Sequence, residues 1–337
     1  MRMDSEAHIL LTGGTGFFGK ALLRHWHAQQ QGGRPVPEVS VLSRNPLRFL
    51  SAHPEFSQLG WLRFVAGDVG ESQSLPQGER FSHILHAAAD STLGPQLKPL
   101  EQYDQIVQGT RNLLDFAVQA GTKRFLFASS GAVYGSQPQH LDQVPENWHG
   151  MPDPLKPSNA YGVAKRAAEH LCTLYAQEYG LQTVIARCFS FIGPDLPLDV
   201  HFAIGNFIRD ALWRDEITVA GDGTPLRSYL DQQDLVQWLL ALLERGQAGE
   251  AYNVGSDRAI SIADLAHLVR DIVAPSMSVR ILGINNANNG RNLYIPSIQK
   301  AKIEFELNVA VPLEQAITNT AKAALQFALT ARLRHEY

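Results

Sequence analysis

The chain is short of cysteine, of net charge and of long apolar runs. Cys172 and Cys188 are its two cysteines in 337 residues, which excludes a disulfide scaffold, and neither has the His or Cys spacing of a zinc site. Both read as small core residues. Lys plus Arg number 29 against 33 Asp plus Glu, a net charge of -4. That leaves no basic field for nucleic acid, so the expected partners are small molecules. No apolar run reaches the length of a membrane span, and Met1 to Glu6 carries acids where a signal peptide would turn apolar. The expected setting is the cytoplasm, with no membrane contact.

What is present is an alternation. Short β-rich runs (Ile9 to Leu11, Val39 to Leu42, Leu62 to Val65, His83 to His86, Arg124 to Ala128, Thr183 to Ala186) are separated by stretches of helical period, clearest at Ile106 to Ala120 and Ala160 to Tyr179. Gly121 and Gly180 follow these two as stop signals. Such a pattern predicts an α/β fold, a Rossmann-like doubly wound parallel sheet with helices on both faces. Gln137 to Asn159 carries Pro138, Pro145, Pro152, Pro154 and Pro157 and reads as a loop over a site. Beyond Gly193 the alternation is lost, predicting a smaller, mixed substrate lobe. The expected division is 1–190, with later segments returning to it, and 191–337.

Three stretches carry chemistry. Ile9 to Leu11, the loop Thr12-Gly13-Gly14-Thr15-Gly16-Phe17-Phe18-Gly19 and the helical Lys20 to His27 form a strand, turn and helix in which glycines let backbone approach a pyrophosphate. Ser129 and Ser130 end a strand. Tyr161 and Lys165, four apart on one helix face, allow a lysine charge to favour a phenolate, and such a tyrosine exchanges a proton with a substrate hydroxyl. No carboxylate follows the second strand, where one would bind the ribose 2'-hydroxyl of NAD. Ser43-Arg44-Asn45 stands there instead, and a hydroxyl beside a guanidinium suits a 2'-phosphate. NADP(H) is therefore favoured, with NAD(H) the alternative.

These stretches, with Gly67-Asp68-Val69, His86-Ala87-Ala88-Ala89, Ser130 to Gly135, Arg187 to Pro194 and Gly221-Asp222-Gly223 leading to Arg227, resemble the extended short-chain dehydrogenase/reductase family, in its branch acting on nucleotide-diphosphate sugars. The resemblance implies catalytic roles for Ser130, Tyr161 and Lys165. It implies a cofactor site of Gly13, Thr15, Gly16, Phe17, Phe18, Gly19, Ser43, Arg44, Asp68, Val69, Ala87, Ala88 and Ala89, completed by Tyr161 and Lys165. It also implies a nucleotide-sugar site of Ser130, Ser190, Asn206, Arg227 and Arg291, with the two arginines on the diphosphate, and a homodimer joined through the helices at Ile106 to Ala120 and Ala160 to Tyr179.

Departures narrow the reaction. Nucleotide-sugar 4,6-dehydratases place an Asp-Glu pair after the serine, where this chain has Gly131 and Ala132; the missing Glu also speaks against the UDP-glucuronate decarboxylase pattern. Ser190 and Ile106 replace two asparagines usual in the family. The resemblance thus points to redox at C4 as a 4-epimerase or 4-ketoreductase. A 4,6-dehydratase and a catalytically silent cofactor-binding sensor or structural protein are the alternatives.

Overall fold

Largely buried strands need cover on both faces, and the β-rich runs of the first half pair in parallel with helices to cover them. The computed structural model describes residues 6–88, 96–200, 202–284 and 292–335. In it β1 (His8–Thr12), β2 (Glu38–Ser43), β3 (Leu62–Ala66), β4 (His83–His86), β5 (Arg124–Ser130) and β6 (Gln182–Cys188) contain all six predicted runs. A seventh strand, Ala251–Val254, too short and mixed to stand out in the sequence, pairs parallel with β6. It is β11 in chain order, and the sheet runs β11-β6-β5-β4-β1-β2-β3. The order reverses between β1 and β4, which opens a crevice at their carboxyl ends.

The helices of this unit are α1 (Phe17–Gln31), α2 (Pro46–Ala52), α3 (Pro99–Gln119) and α4 (Ala160–Tyr179). α3 begins well before the expected Ile106, because Pro99 opens it and the Glu101 carboxylate accepts the Lys98 N–H at 3.3 Å. α4 stops where expected, with Gly180 at φ 68°. Leu113, Phe116 and Ala117 of α3 and Ala164, Ala168 and Cys172 of α4 pack with Ile84, Phe125 and Phe127 in one core. Both cysteines are buried.

The chain divides into two compact units: Met1–Gly135, Glu146–Cys188 and Val236–Val254 form one, and Ser136–Pro145, Phe189–Leu235 and Gly255–Tyr337 the other. The second contains β7 (Phe191–Ile192) paired with β10 (Leu230–Asp231), β8 (Glu216–Val219) paired with β13 (Ser278–Ile281), and β9 (Leu226–Arg227) between β12 (Ile260–Ser261) and β14 (Leu293–Tyr294). Its helices are α5 (Ala203–Trp213), α7 (Ile262–Val273), α8 (Gln299–Phe305) and α9 (Leu313–His335), while α6 (Gln232–Arg245) carries the chain back to the first unit. The beginning of the proline-bearing segment belongs to the second unit: the Gln137 carboxamide accepts the Ile295 N–H at 2.9 Å, and the Val144 N–H bonds to the Ile295 carbonyl at 2.9 Å. Among the described residues no helix is long and apolar enough to cross a membrane.

Candidate active site

The crevice between β1 and β4 is shaped by glycines that nothing larger could replace. Gly13 turns at φ +73°, and a Cβ there would sit 2.5 Å from the Ala87 carbonyl oxygen. A Cβ on Gly19 would meet the Gly14 Cα at 2.2 Å, so α1 starts flush against the end of β1. Gly16 differs. A Cβ on it would touch only the Gly13 carbonyl oxygen at an ordinary 3.4 Å, so packing within the protein does not demand glycine there. As the N-cap of α1 it offers no side chain to the first-turn amides, and that turn holds no acid. The helix N-terminus therefore presents the positive end of its dipole with no capping side chain over it, a cradle suited to a pyrophosphate. Thr15 completes the turn, and Phe17 and Phe18 open the helix, their ring centroids 6.0 Å apart.

A buried histidine holds the opposite wall. His86 Nδ1 lies 2.7 Å from Thr12 Oγ1 and its Nε2 3.2 Å from Thr110 Oγ1. Thr110 donates to the Ile106 carbonyl at 2.6 Å, so it accepts from Nε2–H, and Nδ1 accepts from Thr12. Thr12 Oγ1 in turn accepts the Ala88 N–H at 3.3 Å, beside the Ala87 N–H bond to the Thr12 carbonyl at 3.2 Å. Burial pushes His86 down to about 3, so it stays neutral. Ala89 lies outside the described residues.

Along the same carboxyl edge, Ser43 ends β2 with Arg44 exposed beyond it. Asn45 is occupied in capping α2, accepting the Arg48 N–H at 3.0 Å. After β3, the Asp68 carboxylate accepts the Gly70 N–H at 2.8 Å, and Ser74 Oγ accepts the Asp68 N–H at 2.8 Å. Asn112 of α3 donates to the carbonyls of Val69 and Gly70 at 2.9 and 3.0 Å, and Gly109 leaves room for Val69. Neither α3 residue is among the site residues expected from the sequence.

The proton-transfer candidates meet at the end of β5. Ser130 caps the 3₁₀ turn Gly131–Tyr134, accepting the Ala132 N–H at 3.2 Å. Its hydroxyl is hydrogen-bonded to Tyr161. Lys165, one turn along α4, is 2% exposed; its Nζ donates to the Ala128 carbonyl at 2.7 Å and lies 4.7 Å from the Phe127 ring centroid and 5.9 Å from that of Tyr161. Burial pushes the Tyr161 hydroxyl up to about 12, and the group that draws it back is Ser130 rather than Lys165, whose ammonium is committed to a carbonyl. Burial also pulls Lys165 down to about 8, against the opposing charge of Glu169.

The remaining nominated residues belong to the second unit. The Ser190 carbonyl accepts the Leu230 N–H at 3.0 Å, and the Asn206 side chain accepts from Arg209 at 3.0 Å. Arg227 donates to the Leu226 and Asn292 carbonyls at 2.8 and 3.0 Å and lies 5.9 Å from the Tyr294 ring centroid. Arg291 lies outside the described residues.

The family model of the "NAD dependent epimerase/dehydratase family" matches residues 9–255, spanning the glycine loop, the serine turn and the Tyr161 helix. The chain belongs to this family. It is 29% identical over 301 residues to UDP-glucuronic acid decarboxylase 6 of Arabidopsis thaliana, covering 89% of this chain and 83% of that protein. Its fold matches the UDP-glucose 4-epimerase of Thermotoga maritima at a TM-score of 0.80 and 23% identity, covering 95% of this chain and 99% of that one. It matches a dTDP-glucose 4,6-dehydratase of Streptomyces venezuelae, solved with NAD, at a TM-score of 0.80 and 25% identity, covering 95% and 97%.

A Cβ on Gly162 would sit 2.7 Å from the Ala132 carbonyl oxygen. Its absence lets α4 close on the serine turn. Gly162→Ala should push the helix off that turn and loosen the Tyr161–Ser130 bond, costing at least tenfold in turnover, about 1.4 kcal/mol in barrier, while the chain still folds. Turnover and thermal unfolding of the two proteins check this, and an unchanged rate would show that the contact does not control the site.

Proposed function

We propose that this family member performs nicotinamide-dependent redox at C4 of a nucleoside-diphosphate sugar, as a 4-epimerase or 4-ketoreductase. The observation that carries the reading is the hydrogen-bonded Ser130–Tyr161 pair with Lys165 one turn away, followed by Gly131 and Ala132, which offer no acid or base for a second proton transfer. The glycine cradle fits a dinucleotide pyrophosphate, and Asp68 and Val69 suit its adenine end. When bound, the cofactor supplies the acceptor and donor of hydride.

The chain's own groups do the rest. Ser130 orients the reacting oxygen toward Tyr161, and Tyr161 exchanges the proton with that oxygen. Lys165 holds the nicotinamide ribose and lends positive charge. Ser190, Asn206 and Arg227 serve the nucleotide sugar, with Arg227 on a phosphate.

The decarboxylase relatives supply a second reading: a ketone at C4 would turn a C6 carboxylate into a β-keto acid, so loss of carbon dioxide could follow the same first step. UDP-glucose, UDP-galactose, dTDP-4-keto-6-deoxyglucose and UDP-glucuronate, each incubated with NAD and NADPH, separate the outcomes. We expect a C4 epimer or a reduced ketone. Carbon dioxide release from UDP-glucuronate would transfer the assignment to decarboxylation.

Tyr161→Phe should reduce turnover at least a thousandfold, about 4 kcal/mol in barrier, with folding and cofactor affinity retained, since one hydroxyl is lost. Activity within threefold of the parent enzyme would remove Tyr161 from the mechanism. Arg44→Ala should weaken NADP(H) by about 1.5 to 3 kcal/mol, the worth of a charge-assisted hydrogen bond, and NAD(H) far less. Titration with both cofactors reads this, and equal weakening would restore NAD as the preferred partner. The proposed assembly is a homodimer through α3 and α4; light scattering should give about twice 37.2 kDa, and a single-chain mass would sink it.

A further inference from the structure

The groups assigned above leave unused a buried polar cluster directly behind them. Glu169 lies one turn beyond Lys165 on α4, 7% exposed. Its carboxylate accepts from Ser129 Oγ at 2.5 Å, from Arg187 Nε at 3.1 and 3.2 Å, and from Arg187 Nη2 at 2.8 Å. Arg187, on β6, also donates to Tyr134 Oη at 2.9 Å and to the Glu146 carbonyl at 3.1 Å. Tyr134 Oη passes its own proton to Asn253 Oδ1 on β11 at 2.8 Å, and the Asn253 N–H bonds to Glu146 Oε1 at 2.9 Å. The cluster thus ties the end of β5, the serine turn, α4, β6 and β11 at one point. Buried charges set in such a web cost less in replacement than in disruption, and an ion pair adds little stability over an apolar core. Stability alone is a poor reason for this one.

We propose that Glu169, seated by Arg187 and Ser129, is a positioning residue for Lys165, fixing the α4 face that carries it against the end of β5 and supplying the counter-charge that keeps its ammonium in service. The proposal rests on the reading that Lys165 holds a nicotinamide cofactor. Lys165 is faced by Glu169 and Cys172 from its own helix, by Cys188 from β6 and by His86 from β4. Burial pushes the Cys172 thiol far up and Cys188 to about 12, and His86 is neutral. The carboxylate that faces Lys165 is that of Glu169, one turn along the same helix and paired with the Arg187 guanidinium at 2.8 Å. Burial alone favours the neutral amine, and the carboxylate opposes it. Lys165 works in its charged form and loses it as pH rises through its pKa; removing the carboxylate lowers that pKa, so the loss comes at lower pH.

The test uses the full-length protein and reads the dissociation constants of NADH and NADPH by fluorescence from pH 6 to 10, together with the thermal midpoint. In the parent enzyme binding should weaken as pH passes through about 8. Glu169→Gln should move that midpoint about one pH unit or more toward acid, with binding at pH 8 about tenfold weaker relative to its acid plateau. Because Glu169→Gln strands a buried guanidinium, the double variant Glu169→Gln/Arg187→Gln, which removes both charges and keeps amides in their place, is measured beside it and should show a smaller shift in the same acid direction, because an opposing positive charge leaves with the carboxylate. A folded variant with the parent's midpoint would overturn the proposal and leave the C4 reading standing. Failure of the parent enzyme to bind either nucleotide would overturn both.

Discussion

The site depends on how closely one face of α4 lies against the carboxyl end of β5. Along that face Gly162 lets the helix touch the Ala132 carbonyl, Tyr161 bonds to Ser130, Lys165 reaches the Ala128 carbonyl, and Glu169 takes the Ser129 hydroxyl. Four residues spaced along two helical turns thus engage four residues of the strand and turn between Ala128 and Ala132. Side chains on one helix face are spaced about a turn apart, so a shift that opens one of these contacts strains the others. Shape and chemistry are set together there.

The sheet reversal does the same for the cofactor cradle. Parallel pairing brings the ends of β1 and β4 side by side, and the close approach of Gly13 to Ala87 is possible because Gly13 lacks a Cβ. His86, neutral and bonded at both ring nitrogens, then locks β4 to β1 and α3 through Thr12 and Thr110. Neutral, the ring is satisfied at both nitrogens without a buried charge, which explains why burial is tolerated at this position.

Local rules made much of this legible. The six runs were buried and β-rich, the glycine loop stood between strand and helix, and Tyr161 and Lys165 shared a helical spacing, all of which are short-range signals. What stayed hidden were partnerships made by tertiary contact. Ala251 to Val254 becomes a strand only because β6 offers an edge, and Asn112 earns its place by reaching carbonyls more than forty residues away in sequence. Arg187 was read as part of a landmark, but nothing in its neighbours announces that it would meet Glu169 and Tyr134. Spacing reveals that a lysine is near the phenol, whereas burial, which pushes the phenol up, is a property of the whole core.

Burial has opposite effects on the two titrating partners, and this fixes what limits the site at high pH. A free tyrosine and lysine lose their protons at similar pH. Here desolvation penalises phenolate and ammonium alike, so Tyr161 rises to about 12 while Lys165 falls to about 8. As pH increases, Lys165 therefore becomes neutral before Tyr161 ionises. On the proposed reading, the lysine sets the alkaline boundary of function, and its counter-charge matters as much as the phenol. The groups that bring the two affinities back toward each other are the Ser130 hydroxyl, acting on Tyr161, and the Glu169 carboxylate, acting on Lys165. Each sits next to a residue of the serine pair that ends β5: Ser130 is itself the first, and Ser129 holds the second. Two adjacent serines on one strand thereby tune a tyrosine and a lysine that lie on one helix.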